Sequence, residues 1–239
     1  MKSRIVPLLF AAVLAGCSSS ISTPKLVNTQ HYTGGERIGD EARYYWFTEK
    51  NNVPDQASDY VVAGPFNWYK TTYRWEDGFV REVSRVGERL QNEEVAPFET
   101  LLRFDSHGEA IYQRYRLDGK VLPLSSEQID QYVKQARYVS KVTQDQKKQG
   151  LELIQGVWNG QEFDRCNDAK YQRLQFNDTL PSLVINRLAS LDSYVAFIGK
   201  VNKDSVYIDT LLTLAEGSHG CMQAPDLLAK WEDGLNTTA

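Results

Sequence analysis

From about residue 41 the apolar positions alternate with polar ones over short runs divided by turn residues, the period of two that marks strands. Clusters of β-branched and aromatic residues predict strands near 42–49, 58–63, 66–75, 79–87, 98–104 and 109–117. Asp77-Gly78 turns the third into the fourth, Asp105-Ser106-His107-Gly108 the fifth into the sixth, and Asp118-Gly119 follows the sixth. Consecutive hairpins of this kind make an antiparallel meander, with 88–97 read as a central loop.

The period then changes to about 3.6. Ile129, Tyr132, Val133, Ala136, Val139 and Thr143 fall on one stripe of a helix over 126–148, opened by the Ser125/Gln128 capping box and ended at Gly150. One apolar face opposite a charged one predicts that this helix lies across the sheet. Further strands follow near 151–158, 161–165 and 170–176, then a short helix after Pro181 and a C-terminal hairpin of 193–201 with 205–214. The predicted class is α+β: an antiparallel β meander with one long amphipathic helix packed on it, followed by further strands and the hairpin.

The first residues have a different logic. Lys2 and Arg4 precede an apolar run from Ile5 to Leu14, the layout of a signal peptide. A membrane-spanning helix needs roughly 20 apolar residues, and this run gives way to Ser18-Ser19-Ser20 directly after Cys17. Leu14-Ala15-Gly16-Cys17 resembles the lipobox of bacterial lipoproteins. That resemblance implies diacylglycerol on the Cys17 sulfur, cleavage after Gly16 and a further acyl chain, such as palmitate, on the new amine. Several acyl chains hold a protein on a membrane where one would be marginal. Ser18, where inner-membrane lipoproteins tend to carry Asp, implies by the same resemblance an outer-membrane anchor, with the domain expected to face the periplasm. The expected organisation is a signal peptide over 1–16, a lipidated N-terminus and flexible tether over 17–33, a single domain over 34–230 and a tail over 231–239.

Loss of residues 1–16 takes the net charge from −4 to −6. An acidic mature chain argues against nucleic acid as a partner and against electrostatic docking on anionic lipid. With 41% hydrophobic residues the chain has enough apolar surface to fold.

With Cys17 lipidated, Cys166 and Cys221 form an even set in an oxidising compartment, and one disulfide is the reading adopted. Its loop would stabilise the fold by about 4 kcal/mol on the chain-entropy argument. The alternatives are free thiols, or a metal held by Cys166, His219 and Cys221, which lacks the close-spaced ligand pair of a zinc site near Cys166. No metal or cofactor is expected.

Catalytic patterns are sought without success. Asp105-Ser106-His107 names a hydrolytic triad, but neighbours in a tight turn cannot converge as a hydrogen-bonded chain. Glu93-Glu94 and Glu76-Asp77 could be imagined as a glycosidase couple, which needs two carboxylates about 5 to 9 Å apart across a cleft. Acids in loops are usually just solvated. No catalytic residue is assigned.

Aromatic density stands out instead: Tyr44, Tyr45, Trp46 and Phe47, then Phe66, Trp68, Tyr69, Tyr73 and Trp75. On strands these rings divide between two faces. One set serves the core; the other either lies under the helix or forms a binding surface, for which Trp46, Trp68, Tyr69, Tyr73 and Trp75 are the candidates.

The chain resembles the uncharacterised YjaH-like lipoproteins of enteric and related marine bacteria. The carriers are the lipobox, Arg103-Phe104-Asp105 with Gly108, Leu124-Ser125 followed by Gln128-Ile129, Gln155-Gly156 with Trp158, and the two late cysteines. The resemblance implies an envelope lipoprotein and brings no activity, cofactor or site residue with it. The expected function is that of a non-enzymatic envelope lipoprotein that binds another protein or a cell-wall component. A lipid or lipoprotein carrier with an apolar cavity, and an envelope hydrolase, are the alternatives.

Overall fold

Eight strands follow one another as hairpins: β1 (Thr29–Ile38), β2 (Glu41–Lys50), β3 (Val53–Val62), β4 (Trp68–Glu76), β5 (Phe79–Gln91), β6 (Glu94–Phe104), β7 (Ala110–Leu117) and β8 (Lys120–Leu122). They form one antiparallel sheet in chain order. Four of its turns place two successive residues at positive φ, at Asn51-Asn52, Asp77-Gly78, Asn92-Glu93 and Asp118-Gly119. That backbone matches the right-handed twist of the flanking strands, and Asn, Asp and Gly adopt it at least cost. The structure is a computed structural model and describes residues 27–176 and 181–228. The signal peptide, the lipobox with Cys17, residues 18–26 of the expected tether, and the tail over 231–239 lie outside the described residues.

Helix α1 (Ser126–Lys148) begins with the reciprocal capping box between Ser125 and Gln128. It buries Ala136, Val139 and Thr143 against one face of the meander, where Tyr45, Phe47, Ala57, Tyr73, Val83 and Leu102 are at most 1% exposed. Toward its C-terminal end it crosses β1 closely. A Cβ on Gly34 would stand 2.2 Å from the Gln146 side chain. The Gln146 amide donates to the Gly35 carbonyl (2.7 Å) and accepts from its N–H (3.0 Å).

The second sheet contains β9 (Glu152–Trp158), β10 (Phe163–Arg165), β11 (Lys170–Tyr171), β12 (Arg173–Phe176), β13 (Ser193–Asn202) and β14 (Ser205–Glu216), in the order β11-β10-β9-β13-β14-β12. β12 runs parallel to β14, and α2 (Ser182–Ser190) lies between β12 and β13 in the chain. Ala42 and Tyr44, on the face of β2 away from α1, meet Leu153, Tyr194, Ala196, Ile198 and Leu212, so the two sheets share a core. The disulfide between Cys166 and Cys221, with Cα atoms 6.1 Å apart, ties the C-terminal segment to the second sheet. From there the segment reaches the meander, where the Thr72 hydroxyl donates to the Pro225 carbonyl and accepts from the Leu227 N–H.

The α+β class expected from the sequence is corrected by this architecture. Of the described residues 57% are in strands and 16% in helices, so the protein is mostly β, built from two sheets and two helices. The expectation lost strand length in three places. β1 occupies the end of the stretch read as tether, β3 begins at Val53, and the supposed loop at 88–97 is the paired tip of β5 and β6 turning at Asn92-Glu93. The later strands are not appendages of the meander but a sheet of their own, which buries the second face of β2.

Candidate functional site

Cross-strand register sets one polar row into the apolar face that α1 covers. Tyr45 pairs with Asp59, Asp59 with Thr71, Thr71 with Arg85, and Arg85 with Thr100. The row on one side of it is apolar, through Phe47, Ala57, Tyr73, Val83 and Leu102, and fills the core under the helix. The row on the other side runs Val61, Tyr69, Gly87, Phe98 and lies toward the N-terminal half of α1. A cleft of about 420 Å³ opens at that place. Tyr69, Phe98, Tyr115 and Tyr132 supply rings to its lining, Gln128 and Gln131 stand on the helix side, and Arg85 belongs to its wall.

Gly87 lies beneath the lining, between Tyr69 and Phe98. A Cβ there would stand 2.3 Å from the Trp68 carbonyl oxygen, 2.8 Å from Tyr69 Cβ and 2.9 Å from Phe98 Cε1. The two flanking rings therefore close over a position that holds no side chain.

Arg85 is held by β4 and α1. Its Nε donates to Thr71 Oγ1 (2.8 Å), and its Nη2 donates to Gln135 Oε1 (2.8 Å) and to the Tyr73 hydroxyl (3.2 Å). The guanidinium carbon lies 4.1 Å from the Tyr69 ring centroid and 4.6 Å from that of Tyr132, within cation–π range. Asp59 is fully buried two strands away; its Oδ2 accepts from the Tyr73 hydroxyl (2.8 Å) and from Gln135 Nε2 (3.0 Å). Burial raises the Asp59 carboxyl above the ordinary carboxylate range, against the opposing pull of the Arg85 charge and of the Thr71 and Tyr73 hydroxyls. Burial likewise raises the Tyr69 phenol, and raises that of Tyr73 well above its usual value. The network thus carries one cation and one acid whose charges are balanced through intervening hydroxyl and amide groups.

The sequence-derived candidates separate. Tyr69 lines the cleft and Trp68 borders it, with the Trp68 indole donating to Glu88 (2.9 Å). Tyr73 and Trp75 are core residues under α1, at 0% and 7% exposure, and Trp46 packs in the core shared by the two sheets, so these three are not part of the opening. Asp105 accepts the backbone N–H groups of His107 and Glu109, the geometry of a tight turn, and His107 is exposed. Glu93 and Glu94 lie at the β5–β6 hairpin, and Glu76-Asp77 at the β4–β5 turn. His219 stacks on Tyr194 (4.3 Å between centroids), and both late cysteines are used in the disulfide. Arg85, Phe98, Tyr115 and Tyr132 were not singled out from the sequence. The signal available was Arg85 on the same strand face as Val83, an inward position for a charge.

No curated protein and no solved structure gives a significant match to this chain. A family model does match, over residues 33–226, which takes in the meander from within β1 onward, α1 and the second sheet. The chain belongs to the family described as Protein of unknown function (DUF1481).

Proposed function

We propose that the protein is an envelope lipoprotein of the YjaH-like kind, lipidated on Cys17 and held on the periplasmic face of the outer membrane, that acts by binding through the ring-lined cleft at the N-terminal half of α1. The observation that carries the binding reading is the cleft itself. Its volume of about 420 Å³ falls in the range of small-ligand sites, and it combines aromatic rings with charged and amide side chains, among them Arg85, Arg89, Glu88 and Gln128, that can orient a ligand. Rings present large apolar area with few rotors to freeze on binding. The space between α1 and the meander is filled by Tyr45, Phe47, Tyr73 and Leu102, which argues against a carrier with its cavity at that position.

The neutral dye N-phenyl-1-naphthylamine tests the cleft. The purified protein should enhance its fluorescence with one site per chain, and Gln131→Trp, which places an indole at the exposed helix side of the opening, should weaken it at least about tenfold, one lost contact set being worth roughly 1.4 kcal/mol per decade. Undiminished dye binding by a folded Gln131→Trp protein would remove the cleft as the site.

The anchor is tested separately. Cys17→Ser should leave the protein as unprocessed precursor or release it from the membrane fraction, because the thiol is the atom that is alkylated. A processed Cys17→Ser protein still sedimenting with membranes would refute lipid anchoring.

A further inference from the structure

The guanidinium of Arg85 has three nitrogens, and the protein engages two of them. Nε and Nη2 are taken by Thr71, Tyr73 and Gln135, while Nη1 donates to no partner among the described residues. No carboxylate of the described residues forms a direct ion pair with Arg85, since Asp59 reaches it through Tyr73 and Gln135. A cation that is rigidly held, flanked by rings and left with one unused nitrogen in the wall of a cleft is a preorganised receptor for an anionic group.

The other charges at the opening narrow the class. Glu41 is engaged by Arg43, and Glu88 accepts from the Trp68 indole. Arg89 belongs to the same wall and pairs with no acid among the described residues. The carboxylates in the lining are Glu41 and Glu88 and the cations Arg85 and Arg89, so a dianion would meet little cation in excess. A monoanion, whose single charge can be met by one acceptor oxygen on Nη1, suits this arrangement better. The apolar remainder of the ligand would lie among the Tyr69, Phe98, Tyr115 and Tyr132 rings.

We infer that the cleft selects a small organic carboxylate, its carboxylate on Arg85 Nη1 and its apolar or aromatic body against the four rings. This rests on the binding role proposed for the cleft, and deepens it by naming the ligand class.

The test measures displacement of N-phenyl-1-naphthylamine from the unmodified protein by 2-naphthaleneacetate, by 2-naphthaleneethanol, and by 2-naphthyl phosphate. The acetate should displace the dye at least about tenfold more tightly than the alcohol, the increment expected of a charge-assisted hydrogen bond. In Asp59→Asn/Arg85→Met, which removes both buried charges together and so leaves neither unpaired, that ratio should fall to about one. Equal displacement by acetate and alcohol in the unmodified protein overturns the carboxylate assignment while leaving the cleft as a binding site. Tighter displacement by the phosphate overturns the preference for a monoanion. An unchanged acetate preference in the folded double variant removes Arg85 as the receptor. If the dye itself does not bind, the cleft reading falls first and this inference with it.

Discussion

Arg85→Met is expected to destabilise the protein by about 3 kcal/mol at neutral pH, the loss typical when one member of a buried charge pair is removed and the other is left behind. The residue left behind is Asp59, fully buried, with its carboxyl already raised by desolvation. Without Arg85 the largest opposing influence on that carboxyl disappears, so its folded-state value moves higher still. A group whose folded-state value is raised binds more protons in the folded than in the unfolded chain between the two values. Stability therefore increases as pH falls from the raised value toward the ordinary carboxylate value near 4. The Arg85→Met defect should accordingly be largest at neutral pH and shrink on acidification, as measured by urea unfolding across that interval. Asp59→Asn in the same background should abolish the pH dependence of the difference. A defect of constant size from pH 7 to pH 4 would mean that Asp59 is not the group exposed by the loss.

The second large effect concerns Gly87, beneath the cleft lining. Gly87→Ala places a methyl group 2.3 Å from the Trp68 carbonyl oxygen and against both flanking aromatic residues, and overpacking of that kind costs about 1 to 3 kcal/mol. Because the closest neighbour is backbone, relief requires β4 and β5 to shift, and dye binding should fall together with stability. Gly39→Ala meets no atom within 4 Å but lies at positive φ in the β1–β2 turn, so it serves as a strain control that should lower stability without weakening the dye in the remaining folded protein. Gly87→Ala with unaltered stability and dye affinity would contradict the packing described around Gly87.

Much of the meander is legible in the residues. Asp77-Gly78 and Asp118-Gly119 announce their hairpins through the positive φ they favour. The helix is legible through its 3.6-residue stripe and its Ser125/Gln128 capping box. β1 is not, because Gly34 and Gly35 look like linker residues until α1 is seen lying where a Gly34 side chain would be, and β2 and the second sheet where one on Gly35 would be. Asn92-Glu93 hides a hairpin among charged residues, since Glu at positive φ is unusual and only the pairing of Leu90 with Val95 reveals it. The second sheet depends on β12 lying parallel to β14 across α2, a contact with no local signature.

The cleft is harder still to read from the chain. Its rings come from β4, β6, β7 and α1, and only the registers Tyr69–Gly87–Phe98 and Thr100–Tyr115 bring them to one opening. The aromatic cluster of β4 divides between core and cleft because Tyr73 is enclosed under α1, whereas Tyr69 meets α1 at its hydroxyl, which accepts from Gln135, and otherwise lines the opening. Periodicity assigns a face to each residue, but it does not say how far along that face a helix will cover it.

The most direct test of the account is the position of the bound dye, read by amide chemical-shift changes in isotope-labelled protein titrated with N-phenyl-1-naphthylamine. The cleft predicts that the largest changes fall on Tyr69, Phe98, Tyr115 and Tyr132, which line it together. Changes concentrated instead around the exposed Leu183, Ile185 and Leu191 of the α2 region, with the cleft residues unmoved, would contradict it.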